Sequence, residues 1–126
     1  MATQKKILVV EDDKSLRTAI VEVLISKDYL PIEADNGKEG VEKALAEHPD
    51  LILLDLVMPV MDGMQAMTEI RKDAWGKKVP IIILTNLDSS DKRLTEDVIK
   101  GMPLYYLVKA DIKIHDVVKM IEELIR

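Results

Sequence analysis

Four continuous apolar runs punctuate the chain: Ile7-Leu8-Val9-Val10, Leu51-Ile52-Leu53-Leu54, Ile81-Ile82-Ile83-Leu84, and residues 104–108 with Tyr105 and Tyr106 inside. Runs of this length without polar alternation predict strands buried on both faces. A fifth, weaker segment at 29–34 carries Pro31, which cannot donate to a sheet ladder, so it is expected at a sheet edge. Between the runs the period changes. Leu16, Ala19, Ile20, Val23 and Leu24 recur at i, i+3, i+4, i+7 and i+8. Ile114, Val117, Val118, Ile121, Leu124 and Ile125 do the same near the end. Each set predicts a helix with one buried stripe.

Val41, Ala44 and Leu45 mark a shorter helix after the turn Asp35-Asn36-Gly37, and Met64, Met67 and Ile70 another after Asp62-Gly63. The segment 88–100 offers only Leu94, Val98 and Ile99 as apolar anchors and is expected to be the least firmly held helix. Strand and helix therefore alternate five times. That order requires a mostly parallel sheet with helices on both faces, joined by right-handed crossovers. No repeat, low-complexity tract or linker interrupts it, and residues 1–126 are expected to form one domain with no room for a second.

Charge and composition narrow the function classes. The chain has 23 acidic and 18 basic residues, a net charge of −5, and no basic run longer than two, which argues against a phosphate-backbone-binding surface. With no cysteine there is neither a disulfide framework nor a thiolate metal site. The first apolar run is too short for a signal peptide core or a membrane span, so a cytoplasmic location, without membrane or nucleic-acid contact, is expected.

Open parallel sheets bind ligands at the carboxyl ends of their strands. Here Glu11, Asp12 and Asp13 follow the first run, Asp55 the second, Thr85 the third and Lys109 the fourth. Singly, each has an ordinary reading: a helix cap, a turn residue, a surface lysine. Jointly they put carboxylates, a hydroxyl and an ammonium on one sheet edge. Two carboxylates about 4 Å apart repel by roughly 4 kcal/mol at an effective dielectric near 20, so such a pocket calls for a cation. Mg²⁺, held by one or two carboxylates, water and phosphate, suits oxygen ligands of this kind. Lys109 and Thr85 are then placed to meet a phosphoryl group, and a carboxylate in line with it is a candidate nucleophile.

The segments ILVVEDD at 7–13, LDLVMPVMDG at 54–63, LTN at 84–86 and YLVKA at 106–110, in this order and spacing, resemble the receiver domain of two-component response regulators. The likeness is to single-domain, chemotaxis-regulator-like members and covers about residues 5–125. It implies a flavodoxin-like, doubly wound (βα)5 three-layer sandwich with a five-stranded parallel sheet in the order 2-1-3-4-5. It also implies that Asp55 is the phosphoacceptor. Glu11, Asp12 and Asp55, with the backbone carbonyl of Val57, would form the Mg²⁺ site, Glu11 acting through water. Thr85 would be the switch hydroxyl, Lys109 the phosphoryl-pairing lysine and Tyr106 the switch aromatic. The implied donor is a sensor histidine kinase or a histidine phosphotransfer protein. The implied output is a partner docked on the face of segment 88–100, the last strand and the last helix. No enzymatic activity beyond the chain's own phosphorylation and dephosphorylation is implied.

The sequence departs from the family pattern at four places. Ala110 replaces the usual proline after the lysine, and a trans bond is expected there because a cis bond before a non-proline residue costs about 2.5–4 kcal/mol. Asn86 replaces the small residue usual after Thr85, a longer polar side chain expected to narrow access to Asp55 or to reach the phosphoryl group. Val57 and Leu87, two residues after Asp55 and Thr85, offer nothing to orient a water, which predicts slow hydrolysis of the phosphorylated form. Pro59 and Gly63 are read as stiffening and turning the loop after Asp55, and Met58, Met61, Met64 and Met67 as adaptable packing. His48 and His115 are expected to be solvated, and Trp75 packed on the surface.

Two other functions are open to such a sequence. A phosphorelay intermediate, passing phosphate on to a histidine phosphotransfer protein, has the same residues. An Mg²⁺-dependent small-molecule phosphohydrolase also uses an aspartate at a strand end. Against the hydrolase, Asp55 is followed by Leu56 and Val57 with no second acid two residues on, and 126 residues are expected to leave no cap domain to cover a substrate. A nucleotide or flavin module would need a glycine-rich loop after the first strand, which is missing.

Overall fold

A computed structural model describes residues 4–85, 105–109 and 113–125. Five parallel strands, β1 (Lys6–Val10), β2 (Leu30–Ala34), β3 (Leu51–Leu54), β4 (Ile81–Thr85) and β5 (Tyr105–Val108), form one sheet in the order β2-β1-β3-β4-β5. This is the expected doubly wound order. Pro31 lies in edge strand β2, where its missing N–H leaves no gap inside the sheet. The helices α1 (Lys14–Ser26), α2 (Gly37–Glu47), α3 (Gly63–Lys72) and the C-terminal helix (Ile114–Leu124) cover the two faces.

Strand alternation explains the unbroken apolar runs. Ile7, Val9, Leu51, Leu53, Ile82 and Leu84 point to one face and pack on Ile20 and Leu24 of α1 and Val117, Val118 and Ile121 of the C-terminal helix. Leu8, Val10, Ile52, Leu54, Ile81 and Ile83 point to the other and pack on Ala44 of α2 and Ala66, Met67 and Ile70 of α3. Each strand is thus buried on both sides. Met58 and Met67 lie within this second cluster, with Met61 and Met64 packed against it, as a filling role requires.

Local chemistry sets the helix starts. Asp13 accepts from the Leu16 N–H at 3.1 Å, Asn36 from Glu39 at 2.9 Å, and Asp62 from Gln65 at 2.9 Å, the last completing a reciprocal capping box.

One sequence reading needs adjustment. The turn before α3 is made at Val60, whose φ is 69°, and not at Gly63, since no described glycine has positive φ. The Met61 N–H donates to the Pro59 carbonyl at 2.8 Å, closing a three-residue turn around Val60. Gly63 serves close approach: a Cβ there would lie 2.1 Å from the Asp55 carbonyl oxygen. Trp75 opens a short 3₁₀ turn (Trp75–Lys77), packs against the core and stacks on His48, with ring centroids 4.5 Å apart and planes 8° from parallel. His48 is exposed, as expected, and adopts the left-handed conformation that ends α2. The expected helix at 88–100, Asn86, Leu87, Leu104 and the Ala110 position lie outside the described residues.

Candidate functional site

The site grows out of strand register. Val10 of β1 is paired with Leu54 of β3, so Glu11 and Asp55 leave adjacent strands side by side. The ladder continues one step further, the Glu11 N–H donating to Ala34 O at 3.0 Å and the Asp55 N–H to Val10 O at 3.1 Å. On the other side Thr85 ends β4 opposite Val108, and Lys109 follows. Four strands therefore deliver their first polar side chains to one edge.

Glu11, Asp55 and Thr85 are the only polar residues buried among the described ones, at 2%, 5% and 0% exposure. Burial of ionisable groups needs compensation, and Lys109 supplies it. Its ammonium lies 2.5 Å from Glu11 Oε1 and 3.1 Å from Asp55 Oδ2, with the side chain only 13% exposed. The second oxygen of each carboxylate accepts a backbone N–H, Glu11 Oε2 from Asp13 at 3.0 Å and Asp55 Oδ1 from Val57 at 3.2 Å. Asp12 is exposed at the mouth.

Burial pushes the Glu11 carboxyl up to about 7, overcoming the pull of the Lys109 ammonium and the Asp13 N–H, and the Asp55 charge adds to the rise. Burial alone would lower the Lys109 ammonium, but Glu11 and Asp55 outweigh it and hold Lys109 above its ordinary value. One carboxylate oxygen from each of Glu11, Asp12 and Asp55 falls within 4.8 Å of the others. Three hard oxygen donors, without thiolate or imidazole and with one ammonium between them, fit a small divalent cation.

The structure thus brings together Glu11, Asp12, Asp55 and Lys109, with Thr85 at the same edge and Val57 bound through its N–H to Asp55. Tyr106 lies in β5 opposite Ile83, its side chain outside the described residues. The loop between Asp55 and α3 is anchored at two further points. The Gly63 N–H donates to Leu56 O at 2.9 Å, and the Gly37 N–H, at the start of α2, to Met61 O at 3.0 Å. Sequence reasoning missed Arg17. Its Nη1 donates to the Glu11 backbone carbonyl at 2.7 Å while Nε pairs with Glu33 of β2 at 3.1 Å. The only available signal was its place one turn into α1, because its partners are set by the packing of α1 against β2.

Comparison with known proteins places this geometry in context. The family model described as the response regulator receiver domain matches residues 7–122. The protein PilH of Pseudomonas aeruginosa is 34% identical over 89 residues, covering 71% of this chain and 74% of PilH. A protein-glutamate methylesterase/protein-glutamine glutaminase of Archaeoglobus fulgidus is 33% identical over 96% of this chain, which spans 34% of that protein. The chain likewise spans about a third or less of the other methylesterase relatives. Among solved structures, chemotaxis protein CheY4 of Vibrio cholerae superposes with a TM-score of 0.85 at 27% identity, covering 96% of this chain and 98% of that one. The receiver domain of a Pseudomonas aeruginosa sensor histidine kinase, solved with a magnesium ion coordinated in its active-site cleft, gives a TM-score of 0.85 at 31% identity over 98% of both chains.

Proposed function

This chain belongs to the response regulator receiver domain family, and from that premise we propose that it is a phosphorylation switch in which Asp55 accepts a phosphoryl group. The observation that carries this reading is the pairing of a buried Asp55 with Lys109 inside a three-carboxylate cluster. A buried carboxylate paired with an adjacent ammonium is a candidate nucleophile, and Asp12 beside it is exposed to solvent.

Glu11, Asp12 and Asp55, with the Val57 carbonyl, would hold Mg²⁺, the ion found in the histidine-kinase receiver's cleft. Bound there, the ion would neutralise the carboxylates and the oxygens of an incoming phosphoryl group. An Asp55 carboxylate oxygen attacks phosphorus. The new P–O bond replaces the P–N bond to a donor imidazole, which leaves with the bonding pair and takes up a proton. Lys109, already 3.1 Å from Asp55, pairs with the transferred oxygens. The Thr85 hydroxyl donates to them, and Tyr106 follows as the switch aromatic.

The donor is a sensor histidine kinase or histidine phosphotransfer protein. The output is changed affinity for a partner on the face of segment 88–100, β5 and the C-terminal helix. No helix among the described residues is long and apolar enough to cross a membrane. The test is mass measurement after incubation with Mg²⁺ and a small phosphodonor. One phosphoryl adduct is expected in wild type and none in Asp55→Ala or in wild type with chelator; an adduct that persists in Asp55→Ala overturns the reading.

A further inference from the structure

We infer that Arg17 is a positioning residue for the acidic pocket: by fixing the peptide that joins Glu11 to Asp12, it sets the pocket's affinity for a divalent cation. The inference rests on the Mg²⁺ reading given above.

The Glu11 main chain is gripped at both ends. Its N–H donates to Ala34 O of β2 at 3.0 Å, and its carbonyl accepts Arg17 Nη1 at 2.7 Å. That carbonyl belongs to the peptide plane leading into Asp12. Rotation of the plane would swing the Asp12 Cα, and with it the carboxylate that must meet those of Glu11 and Asp55 within 4.8 Å. The Arg17 side chain is only 14% exposed, so the clamp works largely out of water, where a charge-assisted hydrogen bond is at its strongest.

Two features mark the clamp as built for orientation and not for charge. Arg17 Nε is paired with Glu33 Oε1 at 3.1 Å, which offsets the positive charge that would otherwise oppose a cation next door. Glu33 is itself braced: its backbone carbonyl accepts the Lys43 ammonium, which pairs with Glu39 at 2.6 Å. A single guanidinium reaches a carbonyl on the β1–α1 loop and a carboxylate on β2 because its donors form a rigid fork. A lysine ammonium carries no such fork. Groups that orient metal ligands without touching the metal typically contribute about 10–100-fold to its affinity.

The experiment is Mg²⁺ titration by calorimetry on wild type, Arg17→Met, Arg17→Lys, Glu33→Gln and, as control, Lys6→Met, which loses an ion pair to Glu47 at the opposite edge of the sheet. It is run with the Mg²⁺ dependence of Asp55 phosphorylation by a small phosphodonor. Arg17→Met is expected to weaken Mg²⁺ about tenfold or more, Arg17→Lys and Glu33→Gln less, and Lys6→Met not at all. Raising Mg²⁺ should return the Arg17→Met phosphorylation rate to within about twofold of wild type, the signature of displaced ligands and not of a damaged nucleophile. A folded Arg17→Met with wild-type affinity, or a rate still depressed at saturating Mg²⁺, overturns the inference. Should Arg17→Met fail to fold, wild-type affinity in both Arg17→Lys and Glu33→Gln does so. Wild type that binds no Mg²⁺ overturns the underlying Mg²⁺ reading, and the inference falls with it.

Discussion

Gly63→Ala sets two physical effects against each other. Gly63 is the first residue of α3, and its φ is not positive, so alanine can adopt the backbone conformation without strain. By chain entropy alone the substitution should stabilise the protein by about 0.4–1 kcal/mol. The contact geometry says the opposite. An alanine Cβ would lie 2.1 Å from the Asp55 carbonyl oxygen, 2.7 Å from the Leu56 Cα and 2.9 Å from the Asp55 carbonyl carbon, all backbone atoms with no rotamer to change. Ordinary contact begins at 3.4 Å, so α3 or the Asp55 peptide must move by more than an ångström.

Neither side yields freely. Ala66, Met67 and Ile70 lock α3 into the core, and the Asp55 N–H is held by Val10. Overpacking of this kind costs about 1–3 kcal/mol, occasionally more, which exceeds the entropic gain. A net loss of about 1–2 kcal/mol is therefore expected in urea unfolding. Because the displaced group carries the nucleophile, Mg²⁺-dependent phosphorylation should fall on the order of 10²-fold, the usual consequence of a 1 Å misplacement. Wild-type or greater stability together with a wild-type phosphorylation rate would refute the packing reasoning and leave chain entropy as the controlling effect.

Val60 is β-branched, 77% exposed and held at a φ of 69°, so its strain is offset by almost no burial. Val60→Gly should stabilise the chain by about 1 kcal/mol in urea unfolding; a destabilised variant would show that the turn is not strained. Val57 is 51% exposed next to Asp55 and cannot orient water, so Val57→Asn or Leu87→Glu should speed loss of phosphate several-fold. Unchanged lifetimes in both would refute a water-positioning effect. Without divalent cation, stability should fall as pH rises from 4.5 to about 7. Over that window the folded chain keeps the Glu11 proton that the unfolded chain has released. The full effect is roughly 3 kcal/mol and should vanish in Glu11→Gln; an equal slope in that variant would assign it to another group.

The sheet and its acidic edge were legible in the sequence because both depend on local order. Runs such as 81–84 have no polar position to expose, so they had to be buried on both faces, and the first polar residue after each run had to emerge at the same edge. Features made by packing between distant segments were not legible. Arg17 reaches Glu33 only because α1 lies on β2, and His48 meets Trp75 across the bottom of α2 and α3. Gly63 looked like a turn residue because glycine after aspartate usually is one. Its function as a gap for the Asp55 carbonyl is visible only when α3 is docked. Val60 carried no propensity for the left-handed region it occupies, so the strain had no sequence signal.

The charge balance of the pocket joins these observations. Among the described residues three carboxylates face one ammonium, and two of the three are nearly out of water. Lys109 satisfies one charge and shares itself between Glu11 and Asp55, leaving a deficit of positive charge that burial makes costly. A proton on Glu11 and a divalent cation are two ways of meeting the same deficit, so they must compete. By linkage, Mg²⁺ affinity should rise with pH up to about 7 and level off above it, and binding near pH 6 should release part of a proton. Calorimetry in buffers of different ionisation enthalpy measures that release directly. Equal proton release at pH 6 and pH 8.5 would mean that Glu11 does not hold the proton.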